Sequence, residues 1–281
     1  MPSPSTVEAA TKAAEKLKGA LPALDSPVGM VQLGTGFTPE GLLDAELDSM
    51  SLNDLPGMPS APSPPGHPMQ ITLGKCGDSQ VLVVQGRRHL YEGFGMGPCI
   101  VPVWAACLCG VRNFVFLAVG RGIQDGLKPG TWVLLTDYIN NLGTSPLSGH
   151  QGFVEDPFPD VSDVFSQELN SGIVNAASEC GLDPRLGTAQ ANLGPELESP
   201  AEIAVASRNG ADLVCASIVP EALAAAAMNA RAAGIVLITH RAAQQKARPI
   251  RFAEVPEEAR FLSPPIMRGL RLFLSDREEL L

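Results

Sequence analysis

The sequence predicts an α/β fold: a central mixed sheet flanked by helices, in one domain over residues 1–281. Three observations carry that expectation. Short apolar runs bounded by glycines alternate with longer segments of helical periodicity. Polar residues or glycines repeatedly follow the apolar runs, the pattern of strands that end at a ligand crevice. A chain of 281 residues can bury an ample core, and no internal repeat or linker-like shift of composition divides it.

Taken in order, Ser5–Ala20 is predicted helical, opened by the capping box Ser5-Thr6-Val7-Glu8. Val28–Leu33 is a strand stopped by Gly34-Thr35-Gly36. Ser51–Pro68, rich in Pro, Ser and Gly, is a loop that carries His67 near its end. Val81–Val84 is a buried strand, and Pro98–Gly110 a helix over the sheet. Asn113–Val119 is a strand closed by a turn at Gly120-Arg121-Gly122. Trp132–Thr136 is a further strand, Asn140–Asp160 a long loop and Asp163–Cys180 a helix. Leu193-Gly194-Pro195 ends an extended segment. Ser199-Pro200-Ala201-Glu202 then starts a helix, with a capping Ser, Pro at the first helical position and a returning Glu. Leu213–Val219 is extended, and Pro220–Ala233 is an alanine-rich helix that Gly234 terminates. Gly234–Thr239 is the last strand, and Val255–Leu274 holds the C-terminal helix.

Composition excludes several classes of function. A hydrophobic fraction of 45% with 18% charged residues describes an ordinary folded chain. A net charge of −10 argues against a nucleic-acid surface, which needs clustered Lys and Arg, but leaves room for a local pocket that holds a small anion. Met1–Ala10 lacks a basic region followed by an apolar run, so no signal peptide is expected. No apolar stretch approaches the about 18 residues of a membrane span, and a cytoplasmic location without membrane contact follows as the expectation. The six cysteines are scattered, and Cys107-Leu108-Cys109 lacks the spacer of a zinc knuckle. Reduced, mostly buried thiols and no metal site are expected.

The segment with most chemistry is Gln85-Gly86-Arg87-Arg88-His89-Leu90-Tyr91-Glu92-Gly93, directly after the strand Val81–Val84. A strand end that presents Arg, Arg, His, Tyr and Glu is not building core. Arg87 offers a planar fork suited to phosphate, and His89 can donate a hydrogen bond charged or neutral. The block therefore predicts an oxyanion site.

In order along the chain, the segments resemble the trimeric purine nucleoside phosphorylases and the related methylthioadenosine phosphorylases. The matching pieces are Gly34-Thr35-Gly36, Pro65-Gly66-His67, the Gln85–Gly93 block, Asp137-Tyr138-Ile139-Asn140, Phe158-Pro159-Asp160-Val161-Ser162-Asp163, Gly194-Pro195-Glu196-Leu197-Glu198-Ser199, Ser217-Ile218-Val219-Pro220-Glu221 and Leu237-Ile238-Thr239. They span about residues 28 to 240, most of the chain. The resemblance implies a nucleoside phosphorylase-like fold and a homotrimer. It also implies cleavage of a purine nucleoside, or a 5′-modified analogue, to free purine and ribose 1-phosphate. Inorganic phosphate would be the co-substrate, with no cofactor.

Carried over residue by residue, the resemblance places Thr35, Arg87, His89, Ser217 and the backbone amide of Val119 around phosphate. Tyr91 would lie against the ribose, His67 near the phosphate or sugar, and Leu197, Glu198, Ala216 and His240 around the nucleoside. Phe158 would reach a neighbouring subunit's sugar site. His89, Glu198 and His240 are the implied catalytic group. An Arg fork, a His, two hydroxyls and an amide can satisfy most oxygens of one phosphate.

The departures cluster on the side of the leaving purine. His240 stands where the family reads the base with Asn or Asp. The turn usually written Asn-Ala-Ala-Gly-Gly is Ala118-Val119-Gly120-Arg121-Gly122. Ala216 aligns with a Met under the ribose, Phe252 with a His near the sugar's 5′ end, and Arg88 with an apolar residue. Three readings stay open: a phosphorylase of altered specificity, a relative without catalysis that acts as a phosphate- or nucleoside-binding or assembly protein, and a hydrolase, against which the intact phosphate ligands argue. Individual residues have plainer readings as well. Glu92 and Glu221 suit ion-pair or capping roles, Arg121 could neutralise a carboxylate, His240 could bond a carbonyl, and His150 lies in a Gly-rich loop.

Overall fold

Helices and strands alternate around one connected nine-stranded sheet. The computed structural model describes residues 4–25, 27–150, 153–154, 156, 158–242 and 252–275. The sheet order is β2 (Ala45–Ser51), β3 (Gln70–Cys76), β4 (Ser79–Gln85), β1 (Gly29–Leu33), β5 (Asn113–Gly122), β8 (Leu213–Cys215), β7 (Arg185–Asn192), β6 (Trp132–Asn141) and β9 (Arg231–Arg241). β9 also pairs with β5, so the last five strands close on themselves as a small barrel. β4, β1, β5 and β9 run parallel to their neighbours in that set. β2 with β3 and β3 with β4 are antiparallel. This is the mixed α/β sheet that the sequence predicts.

The core has two faces because strand side chains alternate. Met30, Leu82, Phe114 and Phe116 belong to one apolar cluster, which α1 (Pro4–Ala20), α2 (Gly97–Leu108) and α5 (Val219–Ala226) cover. Val31, Leu33, Val81, Val83, Val115 and Leu117 belong to the other, under α3 (Gln167–Glu179) and α7 (Pro264–Ser275). α1 buries Ala10, Ala13, Ala14 and Leu17, the spacing of one helical face. All six cysteines are free thiols, four of them buried. Among the described residues no helix is long and apolar enough to cross a membrane.

Several elements differ from the sequence-based expectation, each for a packing reason. β2 and β3 are unannounced in the sequence. β2 is largely exposed and carries Glu46 and Asp48, and β3 is interrupted by Gly74, where a Cβ would lie 2.5 Å from a Leu43 methyl. Gly120-Arg121-Gly122 is no turn. β5 runs through it and changes partner, pairing Arg121 and Gly122 antiparallel with Val214 and Leu213. The two glycines allow close approach: a Cβ would meet Val236 at 2.6 Å from Gly120 and the Leu127 carbonyl at 2.5 Å from Gly122. Gly234 does not end a helix either. α5 stops at Ala226, and Gly234 lies within β9, where a Cβ would press on Phe165 at 2.8 Å and Leu135 at 2.9 Å. The C-terminal helix is two, α6 (Val255–Leu262) and α7, because Pro264-Pro265 removes amide donors after Ser263. α4 (Pro200–Arg208) matches its prediction, with Ser199 Oγ accepting from the Glu202 amide at 3.3 Å and Glu202 Oε2 from the Ser199 amide at 2.7 Å.

Candidate active site

The C-terminal ends of β1, β4, β5 and β9 open onto a cavity of about 490 Å³, the crevice expected beyond parallel strand ends. Thr35 enters it from the turn after β1, and Arg87, His89 and Tyr91 from the segment after β4. Val119 and Arg121 enter from β5, and Ala216 and Ser217 from the link between β8 and α5. Leu197 and Glu198 enter from the turn before α4, and Thr239 and His240 from β9. Three segments distant in sequence thus bring Thr35, Arg87, His89 and Ser217 together.

Arg87 is 1% exposed and committed within the protein on both terminal nitrogens. Nη1 donates to Glu221 Oε1 at 3.1 Å, and Nη2 to the carbonyls of Leu117 at 2.7 Å and Gln32 at 3.3 Å. Its Nε is buried with no protein partner among the described residues. The open fork implied by the resemblance is therefore corrected. Glu221 neutralises the guanidinium, and Nε is the one of its three nitrogens left without a protein partner among the described residues. Gly86 makes this approach feasible: its φ of +116° brings Arg87 inward, where a Cβ would meet Met69 Sδ at 3.0 Å.

Glu92 organises the rest of the block. Its Oε1 accepts from the His89 amide at 2.6 Å and lies 3.5 Å from His89 Nδ1, and its Oε2 accepts from Arg88 Nη1 at 3.0 Å. Burial pushes the Glu92 carboxyl up, and these His89 and Arg88 contacts outweigh it, so the net shift is downward. Arg88 also donates to the carbonyls of Pro62 at 2.8 Å and Ala61 at 3.0 Å and to Asn53 Oδ1 at 3.0 Å. It fastens the Pro-rich loop to the site and does not line the cavity. Glu92 and Glu221 both have the structural roles that their plainer readings give them.

His89 is held between two rings. Tyr91 stacks on it with centroids 4.8 Å apart, and His67 meets it edge-on at 5.2 Å. Burial raises the Tyr91 hydroxyl to about 12. His67 does not face the cavity, contrary to its expected place beside phosphate or sugar. It is 5% exposed, and its Nδ1 lies 3.0 Å from the Pro65 carbonyl. A carbonyl only accepts, so Nδ1 carries the proton. Burial and then the neighbouring His89 lower its pKa to about 3, which keeps the ring neutral.

Glu198, also lining the cavity, sits in a polar relay that the sequence does not announce. Asn192 Oδ1 accepts from Asn141 Nδ2 at 2.8 Å and Gln190 Nε2 at 2.9 Å. That orients Asn192 Nδ2 to donate to Glu198 Oε1 at 2.6 Å. Glu198 Oε2 forms an ion pair with Arg121. Arg121 lines the cavity and is 6% exposed, and it neutralises the Glu198 carboxylate, as its plainer reading allows. Burial lowers the Arg121 pKa from its ordinary value. The alternation of Gln190 and Asn192 on one face of β7 is the signal that would have found the relay.

Phe158 lies outside this cavity and is 87% exposed. The side chain of Phe252 is outside the described residues. His150 is buried edge-on against Trp104 at 5.0 Å, away from the cavity.

Comparison with known proteins places this geometry in context. The family model described as the phosphorylase superfamily matches residues 31–261. Purine nucleoside phosphorylase 1 of Geobacillus stearothermophilus is 32% identical over 265 residues, which cover 92% of this chain and 94% of that protein. Purine nucleoside phosphorylase of Mycobacterium tuberculosis is 32% identical over 257 residues, covering 90% and 91%. The structure of a Schistosoma purine nucleoside phosphorylase in complex with guanosine shares the fold, with a TM-score of 0.82 over 96% of each chain at 21% identity.

Proposed function

The chain belongs to the phosphorylase superfamily, and from that membership we propose that it cleaves a purine nucleoside with inorganic phosphate, yielding free purine and ribose 1-phosphate. The observation that carries the reading is the convergence of Thr35, Arg87, His89 and Ser217 with Glu198 on one cavity. Thr35 and Ser217 hydroxyls, Arg87 Nε, His89 and the Val119 amide hold the phosphate. Tyr91 and Ala216 flank the ribose, and Leu197, Glu198 and His240 flank the base. Phosphate oxygen forms a bond to the anomeric carbon as the bond to the purine nitrogen breaks. The protein supplies alignment of the nucleophile and stabilisation of charge on the leaving base. Phosphate is the co-substrate, and none of these steps calls for a further cofactor.

The active form in this reading is a cytoplasmic homotrimer. The resemblance of the Phe158–Asp163 segment supports it, and the Phe158 ring, 87% exposed, is open to a second copy of the chain.

The deciding assay presents purified protein with inosine, guanosine, adenosine and methylthioadenosine, with and without phosphate. Phosphate-dependent base release is expected. Absence of release from all four would leave a binding protein, and release without phosphate would mean a hydrolase.

A further inference from the structure

We propose that Arg121 is a base-contacting catalytic residue which, paired with Glu198, selects the 6-oxo edge of a purine and stabilises the base as it leaves. The inference deepens the phosphorolysis reading and rests on it. Its ground is a juxtaposition: Arg121 on β5 and Glu198 before α4 form an ion pair inside the cavity, and His240 lies opposite Arg121 in the β5–β9 register. Arg121 Nη1 is buried with no protein hydrogen-bond partner among the described residues.

The polarity of the pair is set from behind. Asn192 receives two donors on its oxygen and so must donate to Glu198 Oε1. Glu198 is thereby held as an acceptor, with Arg121 at its other oxygen. A guanidinium only donates and a carboxylate only accepts. A 6-oxopurine presents an acceptor, O6, beside a donor, N1–H, and meets this pair correctly at both points. A 6-aminopurine presents a donor, the amino group, beside an acceptor, N1, and clashes with it at both. The planar Arg fork also matches O6 together with N7, the acceptor pair it takes on guanine elsewhere.

The same contact accelerates the reaction. When the glycosidic bond breaks, its electron pair passes to the purine and spreads onto N7 and O6, while a phosphate oxygen bonds the anomeric carbon. The phosphate's proton is released, and the departing purine anion takes up one from solvent. The Arg121 hydrogen bond strengthens as that charge grows, which is the condition for raising kcat.

The test compares wild type, Arg121→Met and Arg121→Lys on inosine, adenosine and 7-methylguanosine, whose cationic base needs less stabilisation on departure. Arg121→Met is expected to lower kcat on inosine by about 100-fold or more, the range for losing one charge-stabilising donor. The loss on 7-methylguanosine should be under about 10-fold, and Arg121→Lys should recover part of the rate on inosine, since it keeps the cation but not the fork. Unchanged phosphate protection against thermal unfolding shows that the pocket is intact. Equal losses on inosine and 7-methylguanosine, or wild-type preference for adenosine, overturn the proposal. If wild type cleaves no nucleoside, the phosphorolysis reading fails separately, and calorimetry with hypoxanthine and adenine still decides the pair. Preference for hypoxanthine that Arg121→Met abolishes supports it, and no preference overturns it.

Discussion

Arg87 and Glu221, 134 residues apart in the chain, form an ion pair in which Nη1 and Oε1 are 3.1 Å apart and each side chain is 1% exposed. Through the Leu117 and Gln32 carbonyls the same guanidinium ties the segment after β4 to β5 and β1. Such a pair adds little net stability over an apolar replacement, yet breaking it leaves an uncompensated buried charge. Glu221→Ala is therefore expected to cost about 3–5 kcal/mol in urea unfolding. Glu221→Gln, which keeps an acceptor, should cost less. A loss below about 1 kcal/mol for the alanine variant would show that Arg87 is satisfied without Glu221.

Ser217 and Thr35 offer a gentler test of the anion pocket, since neither belongs to a buried ion pair. A hydrogen bond to a charged group contributes about 1.5–3 kcal/mol. Ser217→Ala and Thr35→Val should each weaken phosphate binding by roughly 10- to 100-fold, with the melting temperature in phosphate-free buffer nearly unchanged. Titration calorimetry with inorganic phosphate measures this. Wild-type affinity in both variants would place the anion elsewhere.

His67 makes the protein acid-sensitive in a defined window. Its pKa falls from 6.5 to about 3 on folding. Between those values the unfolded chain binds the proton and the native ring does not, so stability rises with pH across the window. The cost is absent above the unfolded pKa. His67→Gln should remove up to one proton's worth of slope, about 1.4 kcal/mol per pH unit, from a plot of unfolding free energy against pH. Parallel plots for the two proteins would mean that His67 titrates normally in the folded state.

The legible parts of the fold were those with strong local chemistry. The apolar strands β1, β4 and β5 and the Ser199 to Glu202 capping box declare themselves through a few adjacent residues. β2 and β3 do not, because an exposed strand with Glu46 and Asp48 has no apolar run, and Gly74 serves a contact with Leu43 that sequence cannot show. Glycines misled twice for the same reason. Gly120 and Gly234 look like chain breaks, but they make room inside strands for Val236 and Phe165.

The candidate site divides along the same line. By itself the sequence determined the family, the mixed α/β fold and the residue types gathered after each strand, because ordered motifs and strand-end chemistry are local properties. Tertiary structure alone decided how those residues are occupied. It set Glu221 against Arg87, turned His67 behind His89 and drew Arg121 onto Glu198. The physical reason is that a buried charge must find its partner wherever the fold places one, and that partner has no fixed distance along the chain.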